Sequence, residues 1–205
     1  MDARDFLPDQ PGDLEALRDA SRVCRGCDLY RDATQTVFGE GPADAALMAV
    51  GEQPGDREDK EGSPFVGPAG ALLDRAFDEA GVDRTQLYVT NAVKHFKWEP
   101  RGPRRLHKTP TVGERTACRP WLLAEIEAIG PEVVLCLGAS AGQALLGPTF
   151  RVTTQRGKLL DGPGGVRVMG TIHPSAVLRL QAGDRAEAYG GLVHDLRRAW
   201  EHATP

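Results

Sequence analysis

Short apolar runs that alternate with helix-patterned stretches constrain the fold of this 205-residue chain more than any other feature. The apolar runs predict buried strands at Leu47–Val50, Leu87–Val93, Glu132–Leu137 and Val166–Ile172. Helical spacing of apolar residues predicts one helix that begins near Pro68. It predicts three more over Glu114–Ile129, Ala139–Leu146 and the C-terminal stretch around Tyr189–Trp200. This alternation predicts one α/β domain whose central, mainly parallel β-sheet is flanked by helices.

The remaining segments carry weaker signals. Asp13 is placed to cap a short helix, and residues 1–12 before it are expected to form a flexible tail. The stretch from Lys94 to Pro110 contains three prolines and no periodicity, so it is expected to be irregular. No internal repeat or linker divides the chain, and a single domain over residues 1–205 is predicted.

Composition excludes several classes of protein. With 40% hydrophobic residues the chain is too apolar for a disordered tail, and it has no run of the roughly 20 apolar residues that span a bilayer. The acidic N-terminus lacks the apolar core of a signal peptide, so a cytoplasmic monomer with no membrane contact and no obligate protein partner is expected. A net charge of −4 argues against a protein that coats DNA.

The basic residues are concentrated in one segment. From Lys94 to Lys108 the chain has six Lys or Arg residues and a single acid, Glu99, which makes a local charge of +5 and leaves −9 for the rest. This distribution predicts a short, salt-sensitive contact with a polyanion.

Four cysteines are spread along the chain. Cys24 and Cys27 form a C-x2-C pair, and Cys118 and Cys136 follow much later. Disulfides are disfavoured in a reducing compartment, so a metal site is the competing interpretation. Four unequally spaced thiolates are typical of a [4Fe–4S] cluster, zinc is the less favoured alternative, and Cys136 in the run VVLCLG also fits a small buried hydrophobe.

Polar residues follow three of the predicted strands. Glu52 comes after the first strand, Asn91 stands near the end of the second, and His173 comes after the fourth. Because ligands bind beyond the carboxyl ends of parallel strands, these side chains are expected to line one crevice. A carboxylate, a carboxamide and an imidazole together form a candidate catalytic site.

Several motifs resemble those of the uracil-DNA glycosylase superfamily. They are GEQPGDREDKEGSPFVGPAG, the strand-ending Asn91, HPSAVLR and the four cysteines, and they best fit the iron–sulfur branch, family 4. Gln53 in GEQPG and the run ending in His107, RRLH, point further to the UdgX type. That type carries a similar KRRIH loop, whose histidine becomes covalently joined to DNA. Here Pro103 and Leu106 stand in place of its Lys and Ile.

The resemblance implies a role for each matching residue. Glu52, His107 and His173 are the expected catalytic residues. The expected uracil-site residues are Gln53, Asp56, Phe65, Asn91 and Arg105, and the expected DNA-binding residues are Lys94, Arg104, Lys108 and Ser175. Cys24, Cys27, Cys118 and Cys136 are the expected ligands of a [4Fe–4S] cluster, with zinc less favoured.

The resemblance implies an enzyme that excises uracil, preferably from single-stranded DNA, and becomes joined through His107 to C1′ of the abasic site. A positioned imidazole outcompetes water because its effective molarity is far higher. The first alternative is a conventional glycosylase with multiple turnovers, in which His107 only contacts DNA. The second is a non-catalytic, metal-containing module that binds single-stranded nucleic acid.

Overall fold

The computed structural model describes residues 2–9 and 12–204. Within these residues the strands are β1 (Leu47–Gly51), β2 (Leu87–Asn91), β3 (Trp98–Arg101), β4 (Arg104–His107), β5 (Val133–Leu137), β6 (Leu159–Asp161) and β7 (Arg167–Thr171). The α-helices are α1 (Leu14–Ser21), α2 (Asp56–Glu61), α3 (Pro68–Ala80), α4 (Val112–Ile129), α5 (Ala139–Leu146), α6 (Val152–Gln155), α7 (Pro174–Arg179) and α8 (Ala182–Ala203).

The central sheet has the strand order β2-β1-β5-β7-β6. Strand β1 runs parallel to both β2 and β5, β7 runs parallel to β5, and the short edge strand β6 is antiparallel to β7. The chain leaves β1 toward β2 on one side and returns to β5 on the other. A crevice therefore opens at the carboxyl ends of the strands around β1.

Helices cover both faces of this sheet. On one face α3 and α8 bury apolar residues against the strands, among them Leu73, Phe77, Leu192 and Leu196. On the other face α4 and α5 form a second apolar cluster. The predicted α/β fold with a mainly parallel sheet between helices is confirmed.

The basic segment is more ordered than its composition predicts. Strands β3 and β4 pair as an antiparallel hairpin, with Trp98 opposite His107 and Arg101 opposite Arg104. Gly102 makes the turn at a φ of +58°, a left-handed conformation that favours glycine. The expectation of an irregular segment is therefore wrong over residues 98–107, because hairpin pairing here needs no alternation of apolar residues.

Part of the predicted flexible tail is folded onto the domain. Ala3–Phe6 forms a 3-10 turn, and Ala3 is buried in a cluster with Leu17, Phe38 and Trp121. Residues 1, 10 and 11 of the predicted tail lie outside the described residues.

No helix among the described residues is both long and apolar enough to cross a bilayer.

A buried ion pair ties the segment that follows β2 to α4. The Lys94 ammonium contacts the Glu125 carboxylate, and their side chains are only 1% and 0% exposed. Lys94 Nζ also donates to Thr90 Oγ1 at 2.6 Å and to the Asn91 carbonyl at 2.8 Å. Tyr88 and Thr90 hydroxyls donate to the same carboxylate. The pair is therefore fully hydrogen-bonded, as charges removed from water must be.

Replacement of Lys94 by Ala would leave the Glu125 carboxylate buried without its cation. We expect the free energy of unfolding, measured by urea denaturation, to fall by about 3–5 kcal/mol. The matched control is Arg57→Ala, which removes an exposed pair with Glu61 and should cost about 0–1 kcal/mol. A Lys94→Ala loss as small as that of the control would contradict this account.

Candidate active site

A cavity of about 410 Å³ lies at the carboxyl edge of the sheet. Its walls include Glu52 after β1, Asn91 at the end of β2, and His173 after β7. The three strand-end residues singled out in the sequence thus share one crevice. Other wall residues include Gln53, Phe65, His107, Ser140, Ser175 and Arg179.

The Glu52 carboxylate has a different partner for each oxygen. Oε2 accepts a hydrogen bond from the Ser140 hydroxyl, at the beginning of α5. Oε1 lies 3.5 Å from Nε2 of His107, at the end of β4. The main chain of Glu52 is held as well, since its carbonyl accepts the Val93 N–H at 3.0 Å.

Asn91 and Phe65 face one slot above Gly51. Asn91 is opposite Gly51 in the β1–β2 register. A Cβ at Gly51 would lie 2.3 Å from Asn91 Oδ1 and 2.7 Å from Phe65 Cζ, so only glycine leaves room for both. Phe65 has a φ of +58°, which is strained for a non-glycine residue. Its carbonyl packs so closely against Gly70 that a Cβ at Gly70 would have no room. The result is an aromatic ring beside a carboxamide.

His173 is held in one protonation state. Its Nδ1 accepts the Ser175 N–H at 3.1 Å and lies 2.8 Å from the Ser175 hydroxyl oxygen. Burial lowers the pKa of His173 to about 4, and repulsion from His107 and Arg179 adds to this effect. The ring is therefore neutral at pH 7, and because Nδ1 is an acceptor, Nε2 carries the proton.

His107 stands at the entrance with a partly exposed side chain. Burial lowers the pKa of His107 below the usual histidine value; nearby Glu52 opposes this shift and Arg179 reinforces it. The Phe96 ring lies 6.1 Å from the imidazole, centroid to centroid. His107 thus presents its Nε2 toward the Glu52 carboxylate.

The Gln53 side chain forms hydrogen bonds with the main chain at both ends of the β3–β4 hairpin. Its Oε1 accepts the Lys97 N–H at 2.9 Å, and its Nε2 donates to the carbonyls of Lys97 and Lys108 at 3.2 and 3.0 Å. Gln53 was expected to bind substrate. It does line the cavity, but its polar atoms join the two ends of the hairpin that carries His107.

Arg105 anchors the hairpin to α2. Its guanidinium contacts Asp56 at 2.5 Å and Asp59 at 2.6 Å, and it stacks on the rings of Phe96 and Trp98. Arg105 and Asp56 were expected to bind substrate, but neither lines the cavity. Because α2 brings the carboxylates of Asp56 and Asp59 against the hairpin, the charge of Arg105 is neutralised within the protein.

The expected DNA contacts divide into two groups. Arg104 is exposed beside the hairpin turn, and Ser175 lines the cavity. Lys94 is buried on Glu125, which contradicts its expected contact with DNA, and the exposed Lys108 pairs with Glu99 at 2.8 Å. Ser140 and Arg179 are wall residues of the cavity that were not predicted from the sequence. Ser140 could have been found, because it follows the end of β5 and residues after parallel strands lie at the carboxyl edge of the sheet.

The four cysteines do not converge. Cys24, Cys118 and the half-buried Cys27 share one cluster. Cys136 lies inside β5, paired with Val50 and Gly170 of the neighbouring strands, and packs in the apolar cluster under α4 and α5. The expected four-cysteine ligand set is therefore wrong for Cys136, which occupies the position of a small buried hydrophobe. Among residues 2–9 and 12–204, no three or more His, Cys, Asp or Glu side chains are close enough together to hold a single metal ion.

Loss of the Gln53 side chain should loosen the hairpin. Each of its hydrogen bonds is worth about 1 kcal/mol, so we expect Gln53→Ala to speed amide hydrogen exchange in residues 97–108 by at least about tenfold. Gln86→Ala is the control, because the Gln86 side chain bonds only to nearby Asp83 on the surface. Unchanged exchange in the hairpin would refute the role of Gln53 as a clamp.

Comparison with known proteins identifies related chains. The sequence pattern of the uracil DNA glycosylase superfamily matches residues 38–197. A type-4 uracil-DNA glycosylase of Thermotoga maritima is 41% identical over 167 residues, 81% of this chain and 83% of the relative. One from Pyrobaculum aerophilum is 37% identical over 177 residues, 83% and 87% of the two chains. A type-5 uracil-DNA glycosylase of the same organism is 30% identical over 152 residues, 66% and 63%.

Proposed function

Because this chain belongs to the uracil-DNA glycosylase superfamily, we propose that it cleaves the bond between uracil and deoxyribose in DNA, as type-4 enzymes do by name. The observation that carries this proposal is the cavity in which Glu52, Phe65, Asn91 and His173 lie together. A stacked base is out of reach of such a cavity, so the target nucleotide must be flipped out or come from a single strand.

Phe65 and Asn91 supply recognition of the base. The Phe65 ring stacks on uracil, while the Asn91 carboxamide accepts from N3–H and donates to O4. Cytosine presents the opposite donor and acceptor pattern on this edge, so the same carboxamide orientation disfavours it. Selectivity then rests on one side chain held at the end of β2.

His173 and Glu52 act on the two charges of the reaction. As the glycosidic bond breaks, its electron pair stays with uracil, and the neutral His173 donates from Nε2 to the developing anion at O2. The Glu52 carboxylate stabilises the cationic sugar. Water adds to C1′ and gives up a proton through Glu52 or solvent, and the uracil anion takes up a proton on release.

His173→Ala tests this assignment in a uracil-containing single-stranded oligonucleotide. Loss of one donor to a developing anion costs about 10²–10³ in rate, so we expect uracil release to slow by that factor. The control is His194→Ala, a histidine exposed on α8. If the wild-type protein bound the oligonucleotide and left it intact, the proposal would fail in favour of a binding module.

A second outcome of the same chemistry is capture of the DNA by His107. The observation that favours it is the position of Nε2, 3.5 Å from Glu52 Oε1 at the cavity. In this outcome a neutral imidazole nitrogen bonds to C1′ in place of water, uracil leaves with the electron pair, and the alkylated ring loses its N–H proton. The protein would then stop after one turnover.

A denaturing gel separates the two outcomes. Turnover gives free abasic DNA in excess of the enzyme, whereas capture gives a heat-stable shifted band. If capture occurs, His107→Ser should abolish the shifted band while uracil release continues. A band that persists at full intensity in this variant would exclude His107 as the nucleophile.

We also propose a [4Fe–4S] cluster on Cys24, Cys27 and Cys118. The three thiols lie in one cluster of residues, and two of them accept hydrogen bonds of the kind that stabilises thiolates. Trp121 Nε1 donates to Cys24 Sγ at 3.2 Å, and the Lys94 N–H donates to Cys118 Sγ at 3.3 Å. The fourth ligand is then not a cysteine. The buried His95, which follows Lys94 in the chain, is a nitrogen donor in the same segment.

Cysteine variants distinguish the ligands from the buried hydrophobe. We expect Cys118→Ala to lose iron, sulfide and the absorbance near 400 nm, because a thiolate ligand is removed. Cys136→Ala is the matched control and should keep all three. Equal loss in both variants would contradict the three-cysteine assignment, and zinc in place of iron in the wild-type protein would contradict the cluster.

The preferred partner is single-stranded, uracil-containing DNA, because a single strand spares the cost of unpairing the base. The exposed Arg101 and Arg104 at the hairpin turn are the residues that would meet phosphates beside the cavity. A monomeric state and a cytoplasmic location stay predictions.

A further inference from the structure

The turn between β5 and α5 touches two of the proposed catalytic groups. Gly138 has a φ of +92°, and a Cβ there would lie 3.1 Å from the Cβ of His173. Its N–H donates to the Thr171 carbonyl at 2.8 Å. The turn is therefore fixed against the end of β7, and Ser140, which follows it, lines the cavity.

The Ser140 hydroxyl donates to Glu52 Oε2. It does not cap its own helix, since the N-cap position of α5 is Gly138, which has no side chain to do so. The terminal torsion of a glutamate is broad, so a carboxylate without a fixed donor rotates easily. A donor on one oxygen holds the carboxylate plane and leaves the other oxygen, Oε1, on the side of His107.

We infer that Ser140 is a positioning residue for uracil excision, acting through Glu52. Its hydroxyl holds Oε2, so that Oε1 faces the point where the cationic sugar forms. A hydrogen bond to a charged group is stronger than one between neutral groups, which makes this contact able to set the orientation. The inference rests on the proposed function. It adds a residue that contacts the Glu52 carboxylate and does not contact uracil.

Single-turnover kinetics with a uracil-containing single-stranded oligonucleotide tests the inference. We expect Ser140→Ala to release uracil about tenfold more slowly with the dissociation constant of the DNA unchanged within about twofold. Ser140→Thr keeps the hydroxyl and should restore most of the rate. Thermal unfolding of each variant checks that the fold is intact. A wild-type rate in Ser140→Ala, or a threonine variant as slow as the alanine variant, would overturn the inference.

A double-mutant cycle with Glu52→Gln separates positioning from a structural role. Without the carboxylate there is no charge to orient, so Ser140→Ala should slow the Glu52→Gln protein by less than about twofold further. Fully additive losses would show that Ser140 does not act through Glu52. A wild-type protein that releases no uracil would overturn the proposed function together with this inference, whereas an active wild-type protein with additive losses would overturn the inference alone.

Discussion

Parallel pairing of β1 with β2 and β5 is the constraint on which the rest of the site depends. Parallel strands end at the same edge of a sheet, so residues far apart in the sequence arrive at one cavity. The register sets their depth, because Asn91 stands opposite Gly51 and a side chain at Gly51 would occupy the space that Asn91 and Phe65 share. The cavity therefore depends on the strand topology and on the absence of a side chain at Gly51.

Four of the six basic side chains in the segment pair with carboxylates of the protein itself. Lys94 is buried on Glu125 and Arg105 is held between two carboxylates of α2, while Lys97 pairs with Glu114 and Lys108 with Glu99. Arg101 and Arg104 remain exposed at the hairpin turn. The local charge of +5 therefore describes the sequence of the segment and not its surface, because most of these side chains form ion pairs that hold the segment in the fold.

The regular elements were predictable because their apolar spacing reflects which face is buried. The five apolar residues that stand at helical spacing in α3 are all buried in the structure: Leu72, Leu73, Ala76, Phe77 and Ala80. The hairpin was not predictable, since Pro100 and Pro103 interrupt the segment and no apolar alternation marks its strands. Its contacts with Gln53 and with Asp56 and Asp59 of α2 join residues distant in the sequence, and such contacts leave no local pattern.

The cysteines show the same limit. Their number and spacing are compatible with four ligands, but Cys136 belongs to the interior of β5, and only three thiols share a cluster. A spacing reports distance along the chain, and the ligand set depends on distance in space.

By itself the sequence determined the parallel α/β fold, because strand and helix periodicities record burial locally, and its motifs indicated the superfamily. It also marked Glu52, Asn91 and His173, because residues that follow buried parallel strands must meet at one edge. Tertiary structure alone decided which charges are neutralised, which thiols lie together, and that Ser140 holds the Glu52 carboxylate. The physical reason is that ion pairs and hydrogen bonds are made between residues whose separation in the chain has no fixed value.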